Sequence, residues 1–218
     1  MSDMSQRLIF TEKLAKEAGK LALGYFSKLS TLTIVSKGVQ DMASEADVNT
    51  ENLIRAAIEL QYPDDDFFGE ESSDDYVAKA GQGIWVVDPI DGTQPFVSGI
   101  PSWCISIAYI QKDKIVLGVI YDPCANEIFS AQEGQGATLN GKPMKVSDAK
   151  GVANGLVSIG YSNRVTPEAT LGPLERLIKA QGMFHRSGSG ALSLAYVAAG
   201  RLIGYFEPHM NIWDCAAG

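Results

Sequence analysis

Apolar residues return at helical spacing in the first part of the chain. Between residues 5 and 28, leucine, isoleucine and alanine recur every three or four positions with lysines between them, which predicts an amphipathic helix that covers a core. A second helix is predicted over residues 52 to 60, where the pattern ends close to Pro63. Two later stretches, 167 to 181 and 190 to 199, are also predicted to be helical.

Strand signals occupy the middle of the chain. Short runs rich in β-branched and aromatic residues predict strands at 84 to 87, 104 to 110, 115 to 121, 127 to 131, 155 to 160 and 202 to 206. Consecutive strands joined by short turns favour an antiparallel sheet, whereas the later alternation of helix and strand favours an α/β arrangement. We therefore expect a mixed α/β fold in one compact unit, with an N-terminal α+β part over residues 1–145 and a C-terminal α/β part over residues 146–218.

Length and composition set broad limits on the function. The 218 residues include 45% hydrophobic and 20% charged residues, which describes a globular chain with a buried core. The formal charge of −8 disfavours nucleic acid as a partner, because counterion release from phosphates needs clustered lysine and arginine. No basic leader followed by an apolar segment begins the chain, and no run reaches the roughly 18 apolar residues of a membrane span. We therefore expect a cytoplasmic protein without membrane contact.

The most informative chemistry lies where the strand predicted at 84 to 87 ends. Asp88 and Asp91 follow it, three residues apart on a turn that contains a proline, and such carboxylates can bind a hard divalent cation such as Mg²⁺. Gly92 and Thr93 then offer backbone N–H groups and a hydroxyl where a helix should begin, which is a seat for an anion. The alternative is an ordinary strand-ending turn, since Asp, Pro and Gly are common turn residues. We interpret the segment as the site of a metal-dependent phosphatase.

Acidic residues elsewhere in the chain could join this metal site. Glu70 and Glu71 follow two phenylalanines that would anchor the backbone, so one glutamate could reach the metal; alternatively, both belong to a solvated acidic loop. Glu207 and Asp214 adjoin large apolar residues, where a buried carboxylate would be costly without a partner such as a cation. Their alternative roles are a strand-end residue and a helix cap, respectively.

Three short segments, taken in order, resemble the signatures of a known family. They are Gly69-Glu70-Glu71-Ser72, Asp88-Pro89-Ile90-Asp91-Gly92-Thr93 and Trp213-Asp214-Cys215-Ala216-Ala217-Gly218. Together they resemble the inositol monophosphatase family, and the likeness spans nearly the whole chain, including Gly188-Ser189-Gly190-Ala191. Three motifs in the expected order are far more specific than one. The Gln94-Pro95 pair departs from the family's pattern, but proline is tolerated in the first turn of a helix.

The resemblance implies a layered α-β-α-β-α sandwich of the inositol monophosphatase and fructose-1,6-bisphosphatase type. It also implies a lithium-sensitive phosphomonoesterase that uses two or three Mg²⁺ ions and is usually a homodimer. The implied metal ligands are the carboxylates of Glu70, Asp88, Asp91 and Asp214 and the backbone carbonyl of Ile90. Glu70 and Thr93 resemble the pair that orients the attacking water, and Asp91 is the third residue implied in catalysis.

Further positions are implied by the same resemblance. Gly92 and Thr93 resemble the phosphate seat. The substrate's alcohol portion would contact Asp91, Gly188, Ser189 and Glu207. Asp47 and Lys37 match positions near the outer metal, and Glu71 is expected to support the metal ligands without binding the metal. His185 and His209 have no supporting neighbours in sequence, so we expect them in surface or packing roles.

The implied partner is a small phosphate monoester, such as an inositol monophosphate or a similar polyol or amino-alcohol phosphate. Histidinol phosphate, fructose bisphosphate and phosphoadenosine nucleotides are alternatives within the family, and Glu207 favours a polyol or an amine-bearing alcohol over a second phosphate. A non-catalytic member that binds or regulates a partner is the alternative from another class. Family members usually continue past the position of Gly218, so we expect either a missing tail or a shortened protein.

Overall fold

The computed structural model describes residues 3–32, 34–38, 41–75 and 83–218. Within these ranges the α-helices are α1 (Asp3–Phe26), α2 (Glu45–Gln61), α3 (Thr93–Val97), α4 (Pro167–Lys179), α5 (Gly190–Ala198) and α6 (Ile212–Cys215). Short 3₁₀ helices span Leu29–Thr31, Glu70–Asp75 and Val152–Asn154. None of the described helices is both long and apolar enough to cross a membrane.

The strands form three sheets. An antiparallel pair consists of β1 (Ile34–Gly38) and β2 (Asp41–Ser44). The largest sheet takes its seven strands in chain order: β3 (Asp66–Gly69), β4 (Ile84–Asp91), β5 (Cys104–Gln111), β6 (Lys114–Asp122), β7 (Glu127–Gln132), β8 (Gly136–Leu139) and β9 (Lys142–Pro143). Its first pair of strands is parallel and the later pairs are antiparallel. The third sheet is parallel and consists of β10 (Leu156–Ile159), β11 (Met183–His185) and β12 (Gly204–Phe206), with β10 in the centre.

The elements stack as five alternating layers. One face of the seven-stranded sheet packs against α1 and α2, and its other face packs against α5 and α6. In the parallel sheet, the connection from β10 to β11 through α4 and the connection from β11 to β12 through α5 run in opposite directions. Right-handed crossovers then place α4 and α5 on opposite faces of that sheet. The result is the α-β-α-β-α sandwich that the resemblance implied.

The first helix lies close to the large sheet because much of its buried face consists of small residues. Ala15, Ala18 and Ala22 are fully buried there. A Cβ on Gly19 would come within 2.6 Å of the Tyr121 ring on β6. Glycine at this position therefore makes room for the aromatic ring between helix and sheet.

The predicted elements match the structure in order and differ mainly at their ends. The largest difference is α2, which begins at Glu45 instead of residue 52, because Ser44 and Asp47 form a capping box that starts the helix earlier. Its first two turns bury polar residues, including Thr50 and Glu51, so no apolar pattern marked them. The sequence analysis missed β1, β2, β3, β8, β9 and β11, none of which exceeds five residues.

The predicted division between residues 145 and 146 stays a prediction. The large sheet ends at Pro143 and the parallel sheet begins at Leu156. However, Ile120 and Phe129 of the first part share one buried cluster with Leu192 of the second. The two parts are therefore packed through a common core.

A buried ion pair joins α1 to the large sheet. Asp65, only 6% exposed, accepts hydrogen bonds from the Arg7 guanidinium, from Trp85 Nε1 at 2.9 Å and from the Tyr109 hydroxyl at 3.1 Å. The Arg7 guanidinium carbon lies 3.9 Å from the centroid of the Tyr62 ring and 4.6 Å from that of Tyr109. One carboxylate thus ties together α1, β4 and β5.

We expect Asp65→Ala to lower the free energy of unfolding by about 3–5 kcal/mol, because it removes the buried partner of Arg7 and leaves only the exposed Asp3 to pair with the guanidinium. Urea unfolding followed by tryptophan fluorescence measures this change. As a control, Glu175→Ala removes an ion pair with Lys179 whose side chains are both exposed, and it should cost about 0.5 kcal/mol or less. Equal losses in the two variants would contradict the anchoring role of Asp65.

Candidate active site

The site begins where β4 leaves its regular pairing with β5. Asp88 lies opposite Ser106 and Asp91 lies opposite Cys104, so three steps along β4 match two steps along β5. Pro89 has no N–H to donate to a ladder, which suits such an irregularity. The Ile90 N–H donates to Asp88 Oδ1 at 3.0 Å. This bulge lets two aspartates that are three residues apart contribute to one acidic group.

Asp91 is held by the N-terminus of α5. Its Oδ2 accepts hydrogen bonds from the Ser189 hydroxyl and from the Ala191 N–H at 2.7 Å, and its Oδ1 accepts one from the Gly190 N–H at 3.3 Å. Burial raises the pKa of Asp91, and these hydrogen bonds oppose that rise. The positive end of the helix dipole favours the carboxylate in the same way. Asp91 is only 6% exposed, and these donors fix the orientation of its carboxylate.

Asp214 reaches the site from α6. The N–H of Asn211 donates to its Oδ2 at 2.7 Å, within a capping box at the start of the helix. The neighbouring Trp213 packs edge-on against Phe68 of β3, with ring centroids 5.5 Å apart. Burial, followed by the negative charge of Asp91, raises the pKa of Asp214 to about 7. The helix-cap role and the site role predicted for Asp214 thus coexist.

Glu70 completes the acidic cluster from the parallel neighbour of β4. Gly69 pairs with Val87, which brings the next residue, Glu70, beside Asp88. Burial raises the pKa of Asp88 well above its ordinary value, and the charges of Glu70 and Asp91 raise it further. Among the described residues, oxygens of Asp88, Asp91 and Asp214 lie within 4.8 Å of one another. Such crowding of buried carboxylates is unfavourable without a cation, so this donor set fits a hard divalent metal ion.

Gly92 and Thr93 follow the cluster at the start of α3. Gly92 has φ 102°, and a Cβ there would lie 2.8 Å from the carbonyl oxygen of Ser102, so the turn needs glycine. Thr93 Oγ1 lies 3.4 Å from Asp47 Oδ1 and 3.3 Å from the Ile90 carbonyl oxygen, and it can donate its proton to either. The first N–H groups of a helix have no carbonyl partner within it, which supports the predicted anion seat.

The predicted residues meet in one cleft of about 350 Å³. Of the predicted set, its wall contains Glu70, Asp88, Asp91, Gly92, Thr93, Gly188, Glu207 and Asp214. Ser189 lines a smaller adjoining cavity. Asp47, Ile90 and Glu71 lie behind the wall: Asp47 is fully buried, the Ile90 carbonyl faces Thr93, and the Glu71 N–H donates to Glu51. The side chain of Lys37, on β1, is outside the described part of the chain.

Several residues that line the cleft or its adjoining cavity were not anticipated. Arg164 and Arg186 bring positive charge to the cleft, and the charge of Arg164 partly opposes the raised pKa of Asp214. His209 also lines the cleft, whereas we expected a surface or packing role. Tyr205, in the adjoining cavity, donates its hydroxyl to Glu207 and so fixes that carboxylate. Arg186 lies close to Gly188 in the sequence, and Arg164 lies between β10 and α4. No spacing in the sequence distinguished either arginine from an ordinary surface charge.

The family model for the inositol monophosphatase family matches residues 3–218. The chain belongs to this family. This confirms the resemblance noted in the sequence, and solved members confirm the fold. The protein named extragenic suppressor protein SuhB from Bartonella henselae is 32% identical, with a TM-score of 0.89 over 97% of this chain and 82% of that one. Inositol monophosphatase from Anabaena is 31% identical, with a TM-score of 0.84 over 99% of this chain and 80% of that one.

Relatives by sequence bear a different kind of name. Nus factor SuhB of Xylella fastidiosa is 37% identical over 208 residues, which cover 94% of this chain and 74% of the relative. That name describes a factor and not a hydrolase. Membership of the family is therefore established, while phosphatase activity is a proposal for this chain. The predicted partners, a phosphate monoester and a second copy of the chain without nucleic acid, also stay predictions.

The raised pKa values predict how the stability of the metal-free protein depends on pH. An aspartate has an ordinary pKa near 3.9, and that of Asp214 is about 7, so the folded state binds a proton that the unfolded state has lost. This contribution is fully present below about pH 4 and disappears as the pH rises through 7. In excess chelator, we therefore expect Tm to fall as the pH rises from about 5 to 8, with most of the decline below about pH 7.

Differential scanning fluorimetry of two variants tests the cause. Asp214→Asn should flatten the decline in Tm. The control variant Asp64→Asn, at an exposed position, should leave the decline unchanged. Added Mg²⁺ should raise Tm more at pH 8 than at pH 6, because fewer protons then compete for the carboxylates. A Tm that rises over this interval in chelator would contradict the assignment.

Proposed function

We propose that this protein is a Mg²⁺-dependent phosphatase that hydrolyses a small phosphate monoester by attack of water. The single observation that carries the proposal is the convergence of Glu70, Asp88, Asp91 and Asp214 at one cleft, beside the first turn of α3. A phosphate dianion would be repelled by these carboxylates alone. The chemistry that Mg²⁺ supplies here is compensating positive charge and a lowered pKa of water.

The residues of the chain then have distinct tasks. Asp88, Asp91, Asp214 and the carboxylate of Glu70 would hold the metal ions, with the Ile90 carbonyl as a backbone ligand. The backbone N–H groups of Gly92 and Thr93 would bind phosphate oxygens. These assignments follow the family motifs. The four carboxylates, Gly92 and Thr93 line the cleft, which supports their assignments, whereas that of the Ile90 carbonyl rests on the motif alone.

Glu70 and Thr93 would orient the attacking water. Thr93 Oγ1 lies within 3.4 Å of the fully buried Asp47 and of the Ile90 carbonyl, either of which can accept its hydrogen, so its oxygen would be free to accept a hydrogen bond from the water. Water held in line with phosphorus by two polar groups needs no covalent intermediate. A histidine nucleophile is less well supported, because His185 does not line the cleft, and among the described residues no group hydrogen bonds to the buried Nδ1 of His209 to orient its ring.

The alcohol side of the substrate would lie against Glu207. Its carboxylate accepts a hydrogen bond from Tyr205, which leaves further acceptor positions for hydroxyl or ammonium groups of a polyol or amino alcohol. Arg164 and Arg186 add positive charge at the same cleft, so a substrate with a second anionic group could also bind there. Inositol monophosphate, histidinol phosphate, fructose bisphosphate and a phosphoadenosine nucleotide therefore form the test panel.

A regulatory or binding function without catalysis is the second candidate. The name Nus factor SuhB, which relatives 33–37% identical to this chain bear, favours it. The two candidates differ in one measurable respect. If the wild-type protein, saturated with Mg²⁺, released no phosphate from any member of the panel, the regulatory function would replace the phosphatase proposal.

We expect phosphate release to require Mg²⁺ and to fall by at least about 100-fold in Asp91→Asn, since losing a metal ligand removes several kcal/mol of charge stabilisation. A colorimetric phosphate assay with and without EDTA measures both effects. Asp64→Asn, an exposed aspartate outside the cleft, is the matched control and should retain full activity. Undiminished turnover in Asp91→Asn or in EDTA would refute the mechanism.

Substitutions of Thr93 separate water orientation from metal binding. Thr93→Val keeps the shape but removes the hydroxyl, so kcat should fall by about 10²–10⁴ while the Mg²⁺ concentration for half-maximal activity stays the same. Thr93→Ser retains the hydroxyl and should keep most of the activity. Steady-state kinetics over a range of Mg²⁺ concentrations provide the comparison, and equal kcat values for the Val and Ser variants would exclude a role for the hydroxyl.

A further inference from the structure

The second helix carries two buried carboxylates one turn apart. Asp47 is 0% exposed and Glu51 is 2% exposed, and their spacing of four residues puts them on the same face of α2. Asp47 lies against Thr93, as described above. Glu51 does not line the cleft, and its contacts lie on both sides of Glu70.

Glu51 holds the backbone directly before and directly after Glu70. Its Oε2 accepts a hydrogen bond from the N–H of Glu71 at 2.8 Å. That N–H belongs to the first turn of the 3₁₀ helix Glu70–Asp75, where the helix itself offers no acceptor. On the other side, Gly69 packs so closely that a Cβ there would overlap Glu51 Oε2. The carboxylate thus fixes the position of the chain at residues 69 and 71.

Arg55 orients Glu51 from the next turn of α2. Its Nη2 donates to Glu51 Oε1 at 3.2 Å and also hydrogen bonds to the hydroxyl of Ser72. The guanidinium carbon lies 4.5 Å from the centroid of the Phe67 ring on β3. Arg55 therefore contacts the chain at residues 67 and 72. These two residues flank residues 69 and 71, which Glu51 contacts.

We infer that Glu51, oriented by Arg55, is a positioning residue that sets the place of Glu70 relative to Asp88. Because Glu70 lies beside Asp88, a shift of residues 69–72 moves one carboxylate of the acidic cluster relative to the others. Contacts that orient metal ligands in this way are worth about 10- to 100-fold in metal affinity or activity. The consequence for turnover rests on the proposed function, whereas the consequence for metal affinity does not.

Two substitutions of similar size separate the hydrogen bond from simple packing. Glu51→Gln keeps an oxygen that accepts the Glu71 N–H, and Glu51→Leu does not. Titration with Mn²⁺ alone, followed by electron paramagnetic resonance, should give a Kd that is at least about 10-fold weaker in the Leu variant and changed by less than about threefold in the Gln variant. Wild-type affinity in the Leu variant, or equal losses in the two variants, would overturn the inference.

A double-mutant cycle tests whether the effect passes through Glu70. Glu70→Gln should itself weaken Mn²⁺ binding, and adding Glu51→Leu to it should cause little further loss. Losses that multiply independently would mean that Glu51 acts by general destabilisation and would contradict the positioning role. Glu127→Leu is the structural control, because Glu127 lies on β7, away from the cleft, and forms an ion pair with Arg201, so its loss should leave Mn²⁺ affinity unchanged.

Catalysis provides a separate readout. If the wild type turns over a phosphate monoester, Glu51→Leu should lower kcat and Glu51→Gln should largely restore it, with KM little changed. If the wild type binds Mn²⁺ but hydrolyses none of the panel, the proposed function fails, and the inference about Glu51 is then decided by the Mn²⁺ affinities alone.

Discussion

The structure depends on holding several mutually repelling carboxylates together in a poorly solvated place. Burial raises the pKa of Asp88, Asp91 and Asp214, because the loss of water disfavours the charged form of each carboxylate. For Asp88 and Asp214, the charges of acidic neighbours raise the pKa further. The fold compensates for part of this cost with backbone N–H donors. Ile90 donates to Asp88, Ala191 to Asp91 and Asn211 to Asp214. Each carboxylate is thus directed by a different element before any cation arrives.

This arrangement explains why the helices α5 and α6 lie between the two sheets. The helix α5 connects β11 to β12, and its N-terminus contacts Asp91 at the end of β4. The carboxylate at the end of one sheet is therefore stabilised by the helix that also covers the other sheet. Packing of the two sheets is consequently coupled to the position of Asp91, and misplacing α5 would remove donors from this buried carboxylate.

Much of the fold and the acidic cluster could be predicted from the sequence, for different reasons. Buried strands such as β4, β5 and β6 are long apolar runs, and the family motifs directly contain Asp88, Asp91 and Asp214. The polar residues behind the cleft follow no such pattern. The early turns of α2 bury Asp47 and Glu51, so a search for apolar periodicity placed the start of the helix too late. Arg164 and Arg186 become site residues only through tertiary contacts, which a local pattern does not record.

The same polar layer also separates the two candidate functions more sharply than the metal ligands do. A cation would relieve the repulsion among the aspartates in an enzyme and in a binding protein alike, so metal affinity alone favours neither. A structural cation, however, does not need a hydroxyl beside its ligands. Asp47 and Glu51 project from one rigid helix, and the first contacts Thr93 while the second fixes the chain around Glu70. Two groups on one element thus lie behind the pair that would aim a water molecule, which supports the proposed hydrolysis over a purely structural role for the metal.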